Sequence, residues 1–315
     1  MEIPSLSDIK RAHTRIGNHI VRTQIMTSKT INEMVGGEVF FKCENFQKVG
    51  AFKMRGASNV ILSYRPEDRA NGFVTHSSGN HAQAVALASR EAGAKAYIVM
   101  PETAPQVKKD ATQGYGAKIT FCEPNELARA EACQKIMDET GAIQVHPFND
   151  ARIIAGQATA AKEFIEELPD LNYMISPVGG GGLAAGSSLL LSCVSPATQM
   201  ILAEPKAVDD TYQSFTSGTY SPLQSPGQSI ADGLLVSVGE LNFEVIKKYV
   251  SDIHTVEEEA IISAMKFIWE RLKIIIEPSS AVAVAALLNN KEKYAGKKTG
   301  VILTGGNVQL NNLPF

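Results

Sequence analysis

The chain has 315 residues, 44% of them hydrophobic, and a formal net charge of -3. That length can bury one large core or two ordinary ones, and its 20% charged residues are of mixed sign, with no basic patch for a nucleic-acid backbone. No run approaches the roughly 18 apolar residues of a membrane span, MEIPSLSDIKRAHTRIGNHI lacks a signal-peptide core, and the four scattered cysteines lack metal-ligand spacing. A cytoplasmic protein outside the membrane is expected.

In chain order, short β-branched or aromatic runs predict strands at Glu38–Cys43, Phe73–His76, Ala96–Met100, Lys118–Cys122, Ile143–His146, Met174–Val178, Met200–Ala203 and Gly300–Thr304. Ala-rich segments of helical spacing lie between them, among them His81–Ala92, Glu126–Glu139 and Ala151–Glu167. The alternation predicts an α/β architecture whose strands are shared between two mostly parallel sheets with crossover helices. Thr211–Gly227, rich in Ser, Gly, Pro and Thr, reads as a surface excursion.

Four segments could carry chemistry. In FQKVGAFKMRGA, Lys53 follows a strand and a Gly turn and opens a predicted helix. A cation is disfavoured at the positive end of a helix dipole, which lowers its pKa and suits an amine nucleophile, although a solvated first-turn lysine has the same local signature. In THSSGNHAQ, Ser77 to Asn80 occupy a strand-to-helix turn whose free N–H groups suit either a carboxylate or an ordinary cap. In PVGGGGLAAG, Gly179–Gly182 leave a concave run of N–H donors suited to a phosphate. That run also satisfies G-x-G-x-x-A with Glu204 after a later strand, so a dinucleotide site competes at this point. The fourth segment, VILTGGN, ends a strand in Thr304 and two glycines, where α/β sheets place ligands.

Together and in this order, the strings KCENFQKVGAFKMRGA, SSGNHAQA, AGQATAAKE, VGGGGL, SIADG and IIEPSSAVA resemble the fold-type II pyridoxal-phosphate enzymes. Within that group the chain is similar to the serine racemase and serine/threonine dehydratase family, from Ile9 to about Val308. The resemblance implies two domains (1–54 with 149–315, and 55–148), each with a twisted, mostly parallel sheet flanked by helices. The smaller domain would close over the substrate. It implies pyridoxal 5'-phosphate held by Lys53 as a Schiff base, with Phe52 beside the ring and Asn80 on its phenolic oxygen. Gly179, Gly180, Gly181, Gly182 and Leu183 would hold the phosphate, and Thr304 would face the pyridine nitrogen. A neutral hydroxyl there moderates the electron sink, which favours proton transfer and β-elimination.

The resemblance further implies Lys53 and Ser78 as acid/base groups on opposite faces of the α-carbon. Ser77, Ser78, Asn80, His81 and Arg129 would bind an amino-acid substrate. Glu204, Asp210 and the Val208 carbonyl resemble a site for Mg²⁺, or Ca²⁺ or Mn²⁺. A homodimer is implied. Two departures stand out: a serine four residues beyond Asp232 is replaced by Val236, and the family's nucleotide site is matched only through Gln83, Tyr115, Lys273 and Asn307. No nucleotide regulation is expected. The implied activity is serine racemisation with serine/threonine dehydration. The alternative is a threonine or threo-3-hydroxyaspartate ammonia-lyase, for which Arg129 would take the extra carboxylate. A non-catalytic binding module on the same fold is the rival of a different class.

Overall fold

The computed structural model describes residues 2–104, 106–223 and 227–315. The first helix, α1 (Leu6–Ile16), is started by a capping box: Ser5 Oγ accepts from the Asp8 backbone N–H, and the Asp8 carboxylate accepts from Ser5 N–H. Next come β1 (Ile25–Thr27), α2 (Lys29–Val35), β2 (Glu38–Cys43) and α3 (Lys53–Leu62). The chain then builds a four-stranded sheet from β3 (Phe73–His76), β4 (Ala96–Pro101), β5 (Lys118–Cys122) and β6 (Ile143–Gln144). Its crossover helices are α4 (Asn80–Glu91), α5 (Gln106–Gly114) and α6 (Glu126–Thr140).

It returns through α7 (Ala151–Glu167) to β7 (Tyr173–Pro177), α8 (Gly182–Val194), β8 (Gln199–Pro205), α9 (Asp210–Ser217) and α10 (Glu240–Tyr249). β9 (Asp252–Val256), α11 (Glu258–Leu272), α12 (Pro278–Asn289), α13 (Lys291–Tyr294) and β10 (Lys298–Leu303) complete the chain.

The strand orders are β1-β2-β10-β7-β8-β9 and β5-β4-β3-β6, every pairing parallel except β1 with β2. Covering both faces of a parallel sheet with helices demands strands apolar on both faces. Accordingly Val301 and Leu303 face one core with Ile175 and Ile201, while Ile302 faces the other with Met174 and Leu202. The four-stranded sheet repeats the arrangement, with Phe73 and Ile98 on one side and Val74 and Val99 on the other.

Two short strands, β1 and β9, lie outside the sequence expectations, and both are sheet edges. The predicted surface excursion at Thr211–Gly227 is corrected in its first half. α9 occupies it, with Thr211 and Ser214 buried, and Ser214 is satisfied locally: its Oγ donates to Ser221 O and accepts from Ser221 N–H. Gln224, Ser225 and Pro226 lie outside the described residues. Helices α3 and α7 cross unusually closely at Gly56 and Gly156; a Cβ on Gly156 would lie 2.7 Å from Gly56 Cα. Among the described residues no helix is long and apolar enough to cross a membrane.

Candidate active site

Lys53 is the first residue of α3. Two backbone ties fix that start against the end of β10: Phe52 N–H donates to Thr304 O at 3.0 Å, and Ala51 bridges to Gly305. The Lys53 amine donates to Pro147 O at 3.0 Å. The side chain keeps a partial opening to solvent, but its amine is walled by protein. That desolvation lowers its pKa to about 8, with the Glu277 carboxylate pulling the other way.

Three imidazoles stand close enough to act on one another. His81 donates from Nε2 to Val145 O at 3.2 Å, leaving a buried Nδ1 without a partner. Burial, then the Lys53 charge, holds its pKa well below the usual range. His146 Nδ1 accepts from the backbone N–H groups of Phe148 and Asn149, which turns the chain out of β6 two residues before the predicted strand end. Desolvation, followed by His76, pushes His146 down to about 4. These rings are therefore neutral at pH 7, and the amine they surround is that of Lys53.

The glycine turn runs from the end of β7 into α8. Gly181 sits at φ +87 in the left-handed region, and a Cβ on Gly180 would lie 2.2 Å from the Phe148 ring, so neither position accepts a side chain. Asn242 Nδ2 clamps the turn from behind by donating to Gly180 O at 2.5 Å. Among the described residues nothing accepts from the N–H groups of Gly179 to Leu183. A row of free donors at the N-terminus of a thirteen-residue helix has the chemistry a phosphate monoester needs. With an amine nearby on α3 and the buried hydroxyl-bearing Thr304 at the β10 end, the donor set fits pyridoxal phosphate.

Asn80 and His81 begin α4, and Ser77 and Ser78 precede it with partial exposure. Nothing lies within 4 Å of the Cβ position of Gly79, so open space faces this turn. Ser77 Oγ accepts from Gly79 N–H. Asn80 is fixed on both sides: its Nδ2 donates to Glu277 at 2.8 Å and its Oδ1 accepts from Asn307 Nδ2 at 2.8 Å. Glu277 also accepts from Asn307 N–H and is buried; that burial, then Asp232, raises its pKa to about 7. The sequence reading missed Glu277, Pro147, Phe148 and Asn242 as parts of this site. Glu277 lay in the quoted string IIEPSSAVA, but the pattern carries no sign that its carboxylate reaches Asn80.

Arg129 lies on the first turn of α6, half-buried, with its Nε buried and unpartnered and its charge felt at His76. Val236 is exposed, and Ser237 Oγ accepts from Leu223 N–H.

Glu204 and Asp210 form a separate buried pair. Glu204 accepts from Thr211 N–H and Tyr212 N–H, and Asp210 accepts from Val238 N–H. Desolvation raises them to about 8 and about 6, and the Asp210 charge adds to the rise at Glu204. Val208 is buried in the turn between them. Among the described residues no three His, Cys, Asp or Glu side chains gather as a metal cluster, so a cation here would rely on two carboxylates and backbone oxygen.

Comparison with known proteins is consistent over the whole chain. The family model described as pyridoxal-phosphate dependent enzyme matches residues 16–305. A β-hydroxyaspartate dehydratase from Paracoccus denitrificans is 48% identical over 315 residues, covering 100% of both chains. The crystal structure of serine racemase from Dictyostelium discoideum superposes with TM-score 0.93 at 46% identity, covering 98% of this chain and 99% of that one. A threonine deaminase structure from T.th. gives TM-score 0.93 at 36% identity, covering 98% and 99%. The chain belongs to the pyridoxal-phosphate dependent enzymes, in their fold-type II branch.

Proposed function

We propose that this pyridoxal-phosphate-dependent enzyme acts on small β-hydroxy amino acids, serine first, both inverting the α-carbon and dehydrating the substrate to a 2-oxo acid. The observation that carries the reading is the Lys53 amine. It stands on the first turn of α3 with a pKa of about 8, beside neutral imidazoles and a fixed Asn80. The bound cofactor supplies an electron sink that acidifies the substrate α-C–H.

Lys53 carries the covalent attachment and then takes the α-proton; a pKa near the working pH suits both states of that exchange. Phe52 would pack by the cofactor ring, Asn80 would bind its phenolic oxygen, Gly179–Gly182 and Leu183 would hold the phosphate, and Thr304 would serve the ring nitrogen. Ser77, Ser78, Asn80 and His81 receive the substrate carboxylate at the N-terminus of α4. Ser78 serves the face of the α-carbon opposite Lys53, and the four-stranded unit, residues 55–148, closes over the site. A Mg²⁺ ion, or Ca²⁺ or Mn²⁺, binds Glu204, Asp210 and the Val208 carbonyl. The enzyme works as a homodimer, and its four unpaired cysteines suit the reducing cytoplasm.

One observation supports the second reading, a threo-3-hydroxyaspartate ammonia-lyase. Arg129 sits beside His76 with an unpartnered buried Nε, available to a second substrate carboxylate, and the Paracoccus relative carries a matching name. A panel of L-serine, L-threonine and threo-3-hydroxyaspartate, assayed for 2-oxo acid and for D-amino acid, separates the readings. D-serine formation together with pyruvate supports the first. Turnover of hydroxyaspartate alone, lost in Arg129→Ala, replaces it with the second. In the first case Ser78→Ala lowers L-to-D conversion by roughly 10²-fold, the usual loss of a general acid/base, and spares dehydration. Equal loss of both reactions at full cofactor occupancy removes Ser78 from that role.

A further inference from the structure

Two residues beyond Lys53, on the same turn of α3, Arg55 is wholly buried inside a four-charge cluster that the proposed chemistry does not use. Its guanidinium makes two forks. Nε and one terminal nitrogen donate to Glu44 at 2.7 and 2.9 Å, and both terminal nitrogens donate to Glu163 at 2.7 and 2.8 Å. Thr159 Oγ1 accepts a further bond at 3.1 Å. Lys42 closes the set, 2.8 Å from Glu163 and donating to Thr23 O at 2.6 Å. The charges sum to zero. Burial works against the Arg55 charge, and the two carboxylates more than offset it.

The elements joined are the end of β2 (Lys42, with Glu44 just beyond), α3 (Arg55) and α7 (Thr159, Glu163). α7 also governs the other end of the Lys53 side chain. The acceptor of the amine, Pro147 O, lies four residues before Ala151, the first residue of α7. Three further contacts bind α3 to α7: Gly56 N–H donates to Gln157 Oε1, Asn59 Nδ2 donates to Arg152 O, and the helices touch at Gly56 and Gly156. The backbone that carries Lys53 and the carbonyl that receives its amine are thus both referenced to one helix.

We infer that Arg55 is a positioning residue for Lys53: its double fork to Glu44 and Glu163 locks the first turn of α3 to α7 and so fixes the amine against Pro147 and the cofactor. A planar fork specifies direction as well as distance, which a point-charge ammonium does not. The inference rests on Lys53 as the cofactor-bearing residue. It adds that this cluster, together with the backbone ties to the end of β10, holds the first turn of α3 in place.

The test uses the holoenzyme with Arg55→Lys, which retains a positive charge and loses both forks, and Thr159→Val, which removes one bond to the guanidinium. A third variant, Ile268→Ala, serves as a stability control in the other face of the six-stranded sheet, where Ile268 is buried on α11. Expected for Arg55→Lys are a kcat lower by about tenfold or more, the scale of a misplaced reacting group, with KM little changed. The pH titration of the bound cofactor's visible band should shift and cofactor release on dialysis should quicken. Thr159→Val shifts the same three readouts in the same direction by less. The control, compared at equal loss of melting temperature, keeps the wild-type band titration and release rate. If Arg55→Lys does not fold, Thr159→Val carries the test alone. Arg55 and Thr159 variants that match the control at equal thermal loss overturn the inference. Lys53→Ala tests the underlying reading separately, since it removes the borohydride-reducible linkage whatever Arg55 does.

Discussion

Two buried acidic sites in the six-stranded half of the molecule meet the same problem and solve it in opposite ways. Glu44 and Glu163 face Arg55 and Lys42, so two negative charges meet two positive ones and every charged group has hydrogen-bond partners. Glu204 and Asp210 are buried too, but among the described residues the hydrogen bonds they accept come from backbone N–H groups and no cation pairs with them. The consequence is visible in their protonation. Burial would raise Glu163, yet Arg55 and Lys42 hold it below the usual carboxylate range, whereas Glu204 is pushed up to about 8. A balanced cluster needs nothing from outside and serves the architecture. An unbalanced one is completed by a proton or a cation.

The largest effect should come from breaking the balance. Glu163→Ala leaves Arg55 and Lys42 buried with one carboxylate between them, and breaking a buried pair from one side costs about 3–5 kcal/mol. Denaturant unfolding of the holoenzyme should show that loss. A cost under about 1 kcal/mol would mean that water entering the space left by Glu163 solvates Arg55 and Lys42. Glu204 and Asp210 should respond to the opposite treatment. Excess Mg²⁺ should stabilise the protein by about 2.7 kcal/mol at a hundredfold excess over its Kd, because a ligand of the folded state alone raises stability by mass action. EDTA should reverse the gain. Glu204→Gln should remove the response while costing little, since an amide oxygen still accepts from Thr211 or Tyr212. An unchanged melting temperature in EDTA and in Mg²⁺ would dismiss the cation.

The two sites also differ in how well the sequence disclosed them. Glu204 and Asp210 come into view as a motif because they lie six residues apart around one turn. The cluster around Arg55 draws on residues 42, 44 and 163, and no local pattern joins them. The same division runs through the fold. β2 and β3 begin and end where their β-branched and aromatic runs do, because a largely buried strand is apolar along most of its length; β5, exposed or half-buried throughout at a sheet edge, is marked by its β-branched and aromatic run alone. β1, three residues long, and β9, with Asp252 and His254 in five residues, are edge strands whose pairing depends on a neighbour and not on their own pattern. At the active site Lys53, the glycine turn and Ser77–His81 are legible because each is a local strand-to-helix device. Glu277 is not, since its meaning rests on a contact 197 residues away.

That contact supplies the smallest of the expected effects. Glu277 stands between the two extremes: it is buried, among the described residues it has no salt-bridge partner, and it accepts from Asn80 Nδ2 and Asn307 N–H. Its pKa is raised from 4.5 to about 7. Between those values the folded protein keeps a proton that the unfolded chain has released, so the unfolded state binds fewer protons and stability falls as pH rises. Below about 4.5 both states are protonated and this loss is absent; above about 7 it is complete. A shift of this size, discounted for relaxation around a buried group, corresponds to about 1–2 kcal/mol. Glu277→Gln keeps an acceptor for Asn80 and cannot ionise. The variant should therefore lose less stability than wild type between pH 5 and pH 8, by about that amount, in parallel urea titrations of the holoenzyme. Identical slopes would show that Glu277 is ionised throughout. It would then join the balanced class, its countercharge supplied from the cofactor site it borders.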